Sequence, residues 1–267
     1  MEVHQAKNPT HKKRWVEYLL EFFMLFFALS LGFFAENIRE ASIEDQRANE
    51  LAKSLQTDIK DDIEKFNQFV KVRKQLELNF ETYINEIEKN GLQKDNQLQY
   101  ALLATAIFNW KFFEPQTANL DQIISSGALR YFKDAELVTQ ISVIKTAMSS
   151  LMTRQEREKL IFSEYLTPIM ANNFNFKPYD IYFEKQKNKE EINHIVFLQK
   201  IKTGEILLND EDLVFVDSDN IDFQKQLVNK LRFFRFAINA SEFVTYQPYQ
   251  AELEKLLIIL EKHNEQH

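Results

Sequence analysis

The stretch "HKKRWVEYLLEFFMLFFALSLGFFAENIRE", His11–Glu40, decides how the rest of the chain is read. As a helix, Trp15 to Ala35 covers about 31 Å at 1.5 Å per residue, close to the hydrocarbon thickness of a bilayer. No charge interrupts it from Phe22 to Ala35, and apolar side chains surround the whole helix. A surface helix of a soluble domain would instead keep one polar face. Three readings compete: a retained membrane anchor, a cleaved export signal and a buried core helix.

The flanks favour the anchor. Lys7, Lys12, Lys13 and Arg14 precede the apolar run, whereas Glu36, Glu40, Glu44, Asp45 and Glu50 dominate residues 36–50. That asymmetry places the N-terminus in the cytoplasm and the rest of the chain outside it. Trp15 and Tyr18 stand where an interfacial aromatic belt is expected. A cleaved signal needs small residues at its cut site; Ser30–Gly32 offers a weak one, and the run ends in "GFFAEN". The expected division is a basic cytoplasmic tail over residues 1–14, a transmembrane helix over 15–35 and an extracytoplasmic helical domain over 36–267. In a bacterium this means a single-pass inner-membrane protein with a periplasmic domain.

Two acids sit in the apolar helix. Glu17 can snorkel to the headgroups, and Glu21 lies about 9 Å deeper than Trp15. Glu21, Leu25, Ala28, Gly32 and Ala35 recur at spacings of four, three, four and three, so they share one face. Ala28-x-x-x-Gly32 is a small-x-x-x-small step that lets a second backbone come close. This face is expected to pack against another membrane helix, from a second copy or from a different protein.

Beyond Ala35 the helical pattern continues. Leu51, Leu55, Ile59, Ile63, Phe66 and Val70 recur at three-to-four spacing, and no glycine or proline falls between Phe33 and Asn90. One long helix ending near Gly91 is predicted. With four glycines and five prolines in 267 residues, the chain lacks the turn formers of an all-β fold. The fold expected is therefore all-α, a bundle packed around the long helix. "NQLQYALLATAIFNWKFF" (Asn96–Phe113) reads as a central apolar helix stopped by Pro115. A short helix comes next, with Thr117 or Asn119 as its cap and Gly127 ending it. Asp134 caps a helix running to about Pro168. "NNFNFKPYDIY" reads as a loop, 185–193 as a solvated charge run, and Gly204–Asp222 is open to a short β-hairpin. A last helix starts near Ile221 and is bent or divided at Pro248; within its "RFFRF" (Arg232–Phe236), Phe233 and Phe236 are expected to face inward.

Two blocks carry a resemblance. The first is the apolar span with Glu21, then "ENIRE" with Asn37 and Glu40, and the charged helix through "LAKSLQTDIKDDI". The second is "FFEPQTANLDQIISSGALRYFKDAELVTQIS", with Leu120, Ser126, Gly127, Leu129, Asp134 and Leu137. Together they resemble a family of uncharacterised single-pass membrane proteins of Bacteroidetes-type bacteria, in which an anchor precedes an "N-W-x-E"-like motif. Ile38 stands here in place of the tryptophan. The resemblance implies membrane location and an extracytoplasmic helical domain, with no activity attached.

Chemistry is sparse. The absence of cysteine removes disulfides and thiolate sites, and a net charge of −7 argues against nucleic acid as a partner. His263 and His267 are four apart but placed at a fraying terminus, and Glu191-x-x-His194 is half of a di-iron motif without its other half. Asp61/Asp62 and Glu190/Glu191 are neighbours that point apart, so neither forms an acid/base couple. No enzyme, metal or cofactor is expected. The expected role is a membrane-anchored scaffold or interaction subunit of an envelope assembly, with the bilayer and a protein partner or second copy as contacts. An extracytoplasmic ligand-sensing domain acting through a partner is the alternative, and an enzyme of unrecognised type a weaker one.

Overall fold

A computed structural model describes residues 15–93, 96–108, 110–187, 194–209 and 219–265. Helices account for all of its regular structure, and no strand occurs among the described residues. The helices are α1 (Trp15–Asn90), α2 (Gln97–Phe108), α3 (Ala118–Ser125), α4 (Ala135–Ile161), α5 (Thr167–Asn173), α6 (Pro178–Lys187), α7 (His194–Thr203), α8 (Ile221–Ser241) and α9 (Gln247–Glu265). A 3₁₀ turn spans Ala128–Tyr131, and π-helical turns at Phe162–Leu166 and Glu242–Tyr246 join α4 to α5 and α8 to α9.

The long helix organises everything else. Its 76 residues extend about 114 Å at 1.5 Å per residue. From Ala48 its buried positions step by four and three without a break, through Ala52, Leu55, Ile59, Asp62 and Phe66 and onward to Phe80, Tyr83 and Ile87. That is a heptad seam, the pattern that keeps one face of a helix against its neighbours. Only Asp62 and Arg73 are charged residues along it.

The α9, α2 and α8 helices line the seam, and α4 packs chiefly on α9. Arg232 pairs with Glu88, Arg235 with Glu77 and Glu81, and Lys60 with Glu261, so α8 and α9 descend antiparallel to α1. The turn leading into α4 meets α1 through Lys133–Asp45 and the later part of α4 through Glu158–Arg73, so α4 ascends parallel to it. One hydrophobic cluster gathers α1 from Ala48 to Phe69, α3, α4 and α9; a second gathers α1 from Leu76 to Ile87 with α2, α5, α7 and α8.

Two prolines are absorbed rather than obeyed. Pro168 and Pro248 each stand two positions after a π-helical turn. A proline lacks the N–H that an α-helix needs and crowds the carbonyl four residues back. A wider turn just before it relieves both problems, so each helix runs on. The predicted stop near Pro168 is thus overrun as far as Asn173.

Other expectations move. The α2 helix ends at Phe108, well before Pro115. Trp110 to Gln116 is not helical; Phe113 exchanges both backbone hydrogen bonds with Gln155, and Asp62 accepts from the Gln116 N–H at 3.0 and 3.1 Å. "PYDIY" is helix, not loop, because Pro178 at the first position of α6 supplies a preset φ and needs no N–H partner. In "RFFRF" the inward ring is Phe234, which is fully buried, whereas Phe233 and Phe236 are exposed. The arginines fix that register by reaching the acids of α1. His263 is buried against Phe132 rather than frayed. Glu191, His267 and residues 188–193 lie outside the described residues, as does most of the hairpin candidate; its flanks, 204–209 and 219–222, contain no strand.

Gly127 ends α3 with φ at +72°, and Asp134 opens α4 by accepting from the Glu136 and Leu137 N–H groups. A β-branched residue in the left-handed region is strained whatever the space around it. Gly127→Val is expected to lower unfolding stability by about 1–3 kcal/mol and Gly127→Asn by much less, measured by urea denaturation in detergent.

Asp62 has no exposure, and burial pushes its carboxyl up to about 6 from the ordinary aspartate range. The Gln116 N–H and Lys65 oppose that rise, and Asp58 adds to it. Because the folded state holds the proton more tightly, the stabilising contribution is complete below about pH 4 and lost as pH rises through 6. Asp62→Asn should therefore raise stability at pH 7.5 by roughly 1–3 kcal/mol, with the gap from the parent closing by about pH 4.

Candidate functional site

The apolar segment packs against no other described element of the chain. From Trp15 to Phe34 its large apolar side chains stand 40% exposed or more, with Leu25 at 73% and Phe33 at 64%. Among the described residues, α1 is the one helix long and apolar enough to cross a membrane, and none of its apolar window is buried. A core helix would show the reverse, so the buried-helix reading is set aside. Phe22 stacks on Phe26 and Phe23 on Phe27, which coats two sides of the helix with rings. Glu21, Leu25, Ala28, Gly32 and Ala35 lie on one face by helical spacing. A Cβ added at Gly32 would meet no atom within 4 Å, so nothing among the described residues requires a glycine there. Lys12, Lys13 and Arg14 lie outside the described residues.

The two motif blocks meet where α1 enters the bundle. The turn after Gly127 lies beside α1 at Asp45, Ala48 and Asn49. Lys133 reaches Asp45 at 2.7 Å, and the Arg130 guanidinium, held by the Tyr131 hydroxyl at 3.0 Å, lies in the field of Glu44 and Glu40. Leu120 and Leu137 are fully buried in the cluster nearer the apolar segment, Leu129 packs against it, and Ser126 is an exposed C-cap. Asn37 lies further down the exposed helix, which Arg39 and Glu36 brace with a hydrogen bond of 3.0 Å. This collar of Asp45, Tyr131 and Lys133 gives Gly127 and Asp134 their place at its corner, and leaves Asn37, Glu40 and Ser126 at the surface.

Sequence reasoning missed the buried polar layer between the two clusters. Arg73 and Glu158 are 3% and 1% exposed and pair at 2.8 Å, and the Tyr246 hydroxyl donates to both oxygens of Glu158 at 3.0 and 3.2 Å. Burial raises the Tyr246 phenol, which keeps it a donor. Trp110, Tyr246 and Phe69 surround the guanidinium at 3.9, 5.4 and 5.6 Å from its carbon. Cation–π attraction at that range substitutes for the acceptors that Nε and Nη1 lack among the described residues. The signal was present in the seam, where Asp62 and Arg73 fall on the heptad.

An open groove of about 540 Å³ lies between α4 and α9, lined by Thr139, Ser142, Thr146, Ser150, Pro248 and neighbours. Among the described residues no three His, Asp or Glu side chains are placed to hold a metal ion.

Removing one member of a buried pair strands the other charge. Arg73→Met is expected to cost about 3–5 kcal/mol in urea denaturation. Adding Glu158→Gln, which still accepts from Tyr246, should restore at least about 2 kcal/mol of it; a double variant no better than the single would show that the charges are not coupled.

No protein-family model, no curated protein and no solved structure matches this chain, so the functional reading rests on its own geometry.

Proposed function

We propose that this protein is a membrane-anchored helical scaffold or interaction subunit of a bacterial envelope assembly. The observation that carries this is the contrast along α1. Its first stretch is apolar all round and unpacked, and from Ala48 the same helix is the spine of a bundle. In the proposed topology residues 1–14 are cytoplasmic, 15–35 cross the inner membrane and 36–267 stand in the periplasm. At about 1.5 Å per residue, the stalk from Ala35 to Asp45 lifts the collar some 15 Å above the hydrocarbon, clear of the headgroups. The face of Glu21, Leu25, Ala28, Gly32 and Ala35 takes the transmembrane partner, with Gly32 allowing close approach.

Two observations favour a scaffold over a sensor of small ligands. The α4–α9 groove is open rather than enclosing, and Arg73, Glu158 and Tyr246 in the buried polar layer are spent on one another. Specific small-molecule sites bury most of their ligand in a cavity with a few placed polar groups.

Membranes of cells making the full chain test the reading. The protein should resist alkaline carbonate extraction, and protease added to spheroplasts should remove the bundle while leaving a fragment near the size of the anchor. Extraction by carbonate, or a bundle untouched in intact spheroplasts, would overturn it. Ala28→Leu with Gly32→Leu should abolish detergent-resistant association of the anchor; unchanged association would overturn that face.

A further inference from the structure

We propose that the outward face of α8 and of the π-helical turn that follows it joins two copies of this chain, side by side and parallel, about a twofold axis along the membrane normal. Phe233, Phe236, Ala240 and Phe243 follow one another at spacings of three, four and three, and Val244 flanks them. The three phenylalanines are 42%, 68% and 68% exposed and Val244 is 71% exposed. This is a second, shorter heptad seam, facing solvent instead of the bundle.

Charge points to a like surface as the occupant. The chain as a whole carries −7, so two copies repel except where their surfaces are neutral. The ridge has no charged residue of its own. Arg232 and Arg235 are turned to α1 and held there by Glu88, Glu77 and Glu81, and Arg154 of α4 is tied down on α8 by the Ser241 hydroxyl and the Ala237 carbonyl. Glu242 lines the cleft beside Val70, Lys74 and Glu77, which Phe243 borders as well. Ala240, half-buried between the exposed rings of Phe236 and Phe243, leaves a gap in the ridge. Across a twofold axis the two gaps coincide, so the helices can close on each other while the rings pack above and below.

Height excludes the anchoring bilayer and selects a second copy, and here the inference rests on the anchor reading. Arg235 lies level with Glu77 and Glu81. From Ala35 to Glu77 the rod rises about 63 Å at 1.5 Å per residue, so the ridge stands far above the lipid. Since α8 runs antiparallel to α1, copies anchored through Trp15–Ala35 in one membrane present α8 in the same direction and at the same level. Ridge then meets ridge in register, with Ala240 opposite Ala240, and no polar residue is needed to set it.

The area sets the regime. At about 150–250 Å² per aromatic side chain, the exposed portions amount to roughly 400 Å² per copy. That is about half of the 800 Å² per partner found in standard interfaces. Such a contact holds only when something else raises the effective concentration, and confinement to a membrane does so.

The absence of cysteine makes the test clean. In membranes carrying the full chain with Ala240→Cys, mild oxidation should give a disulfide-linked dimer as the major species, because facing positions on such a seam lie within disulfide reach. Glu254→Cys, exposed on α9 beyond the ridge, should stay monomeric. Adding Phe236→Glu should cut the Ala240→Cys dimer at least about tenfold while leaving the melting temperature within about a degree, as its exposure implies. Crosslinking of Ala240→Cys no better than that of Glu254→Cys, or undiminished by Phe236→Glu, overturns the proposal. Carbonate extraction of the same membranes separates the two readings. A retained chain that does not crosslink sinks this contact alone; an extracted chain that still crosslinks sinks the anchor and leaves the contact standing.

Discussion

Arg73 and Glu158 meet at the one level of the bundle where two hydrophobic clusters would otherwise merge, and the alignment of three long helices depends on their meeting. A heptad seam has a weakness: sliding one helix by seven residues puts apolar side chains against apolar side chains again. A buried ion pair removes that degeneracy. In any slipped register both charges would lose their partner inside the core, at a cost of about 3–5 kcal/mol. Tyr246 extends the lock to the third long helix, because its hydroxyl bonds to the same carboxylate. So α1, α4 and the α8–α9 pair are fixed at one height by one carboxylate. The pair need not add net stability to do this, since an apolar replacement of equal volume can match it.

The irregular turns of the two partner helices lie close to that layer. Glu158 comes one turn before the π-helical turn of Phe162–Leu166, and Tyr246 is the last residue of the other. Each π-helical turn precedes a proline, so the departure from α geometry has a local covalent cause. The end of α2 at Phe108 leaves Trp110 free of helix, where its ring can cover the Arg73 guanidinium at 3.9 Å. A helix continuing from α2 to Pro115 would have carried that ring elsewhere.

The apolar span, the long helix ending at Gly91, the corner at Gly127 and the cap at Asp134 were legible in the sequence because each rests on local chemistry: period, positive φ or an acceptor at a helix start. What stayed hidden depended on partners far along the chain. The inward phenylalanine of "RFFRF" was misassigned because Arg232 and Arg235 answer to Glu88, Glu77 and Glu81, distant in sequence and adjacent in the bundle. Arg73 falls on the heptad, but no local feature shows that a carboxylate 85 residues away meets it inside the core. Pro168 reads as a stop and instead follows a wide turn in a helix that continues, whereas at Pro248 the wide turn between α8 and α9 falls where a bend or division is expected.

The unbroken backbone of α1 has a geometric consequence for how a membrane face and a domain face can be used together. With no glycine or proline from Phe33 to Asn90, nothing in the sequence lets the bundle swivel about the helix that carries it. From Ala28 to the first seam residue, Ala48, about twenty positions at about 100° each amount to a net turn of some 200°. The proposed small-residue face of the anchor therefore looks away from the side on which α4, α8 and α9 pack. A transmembrane helix approaching Ala28 and Gly32 would meet no obstruction from the bundle above it. The α8 ridge lies on the bundle side of the same rod. The two faces point in different directions, so a contact between copies through Phe236 and a contact with another membrane helix through Gly32 do not compete for the same side of the molecule. A flexible linker at the membrane exit would have left that relation undefined; a continuous helix fixes it.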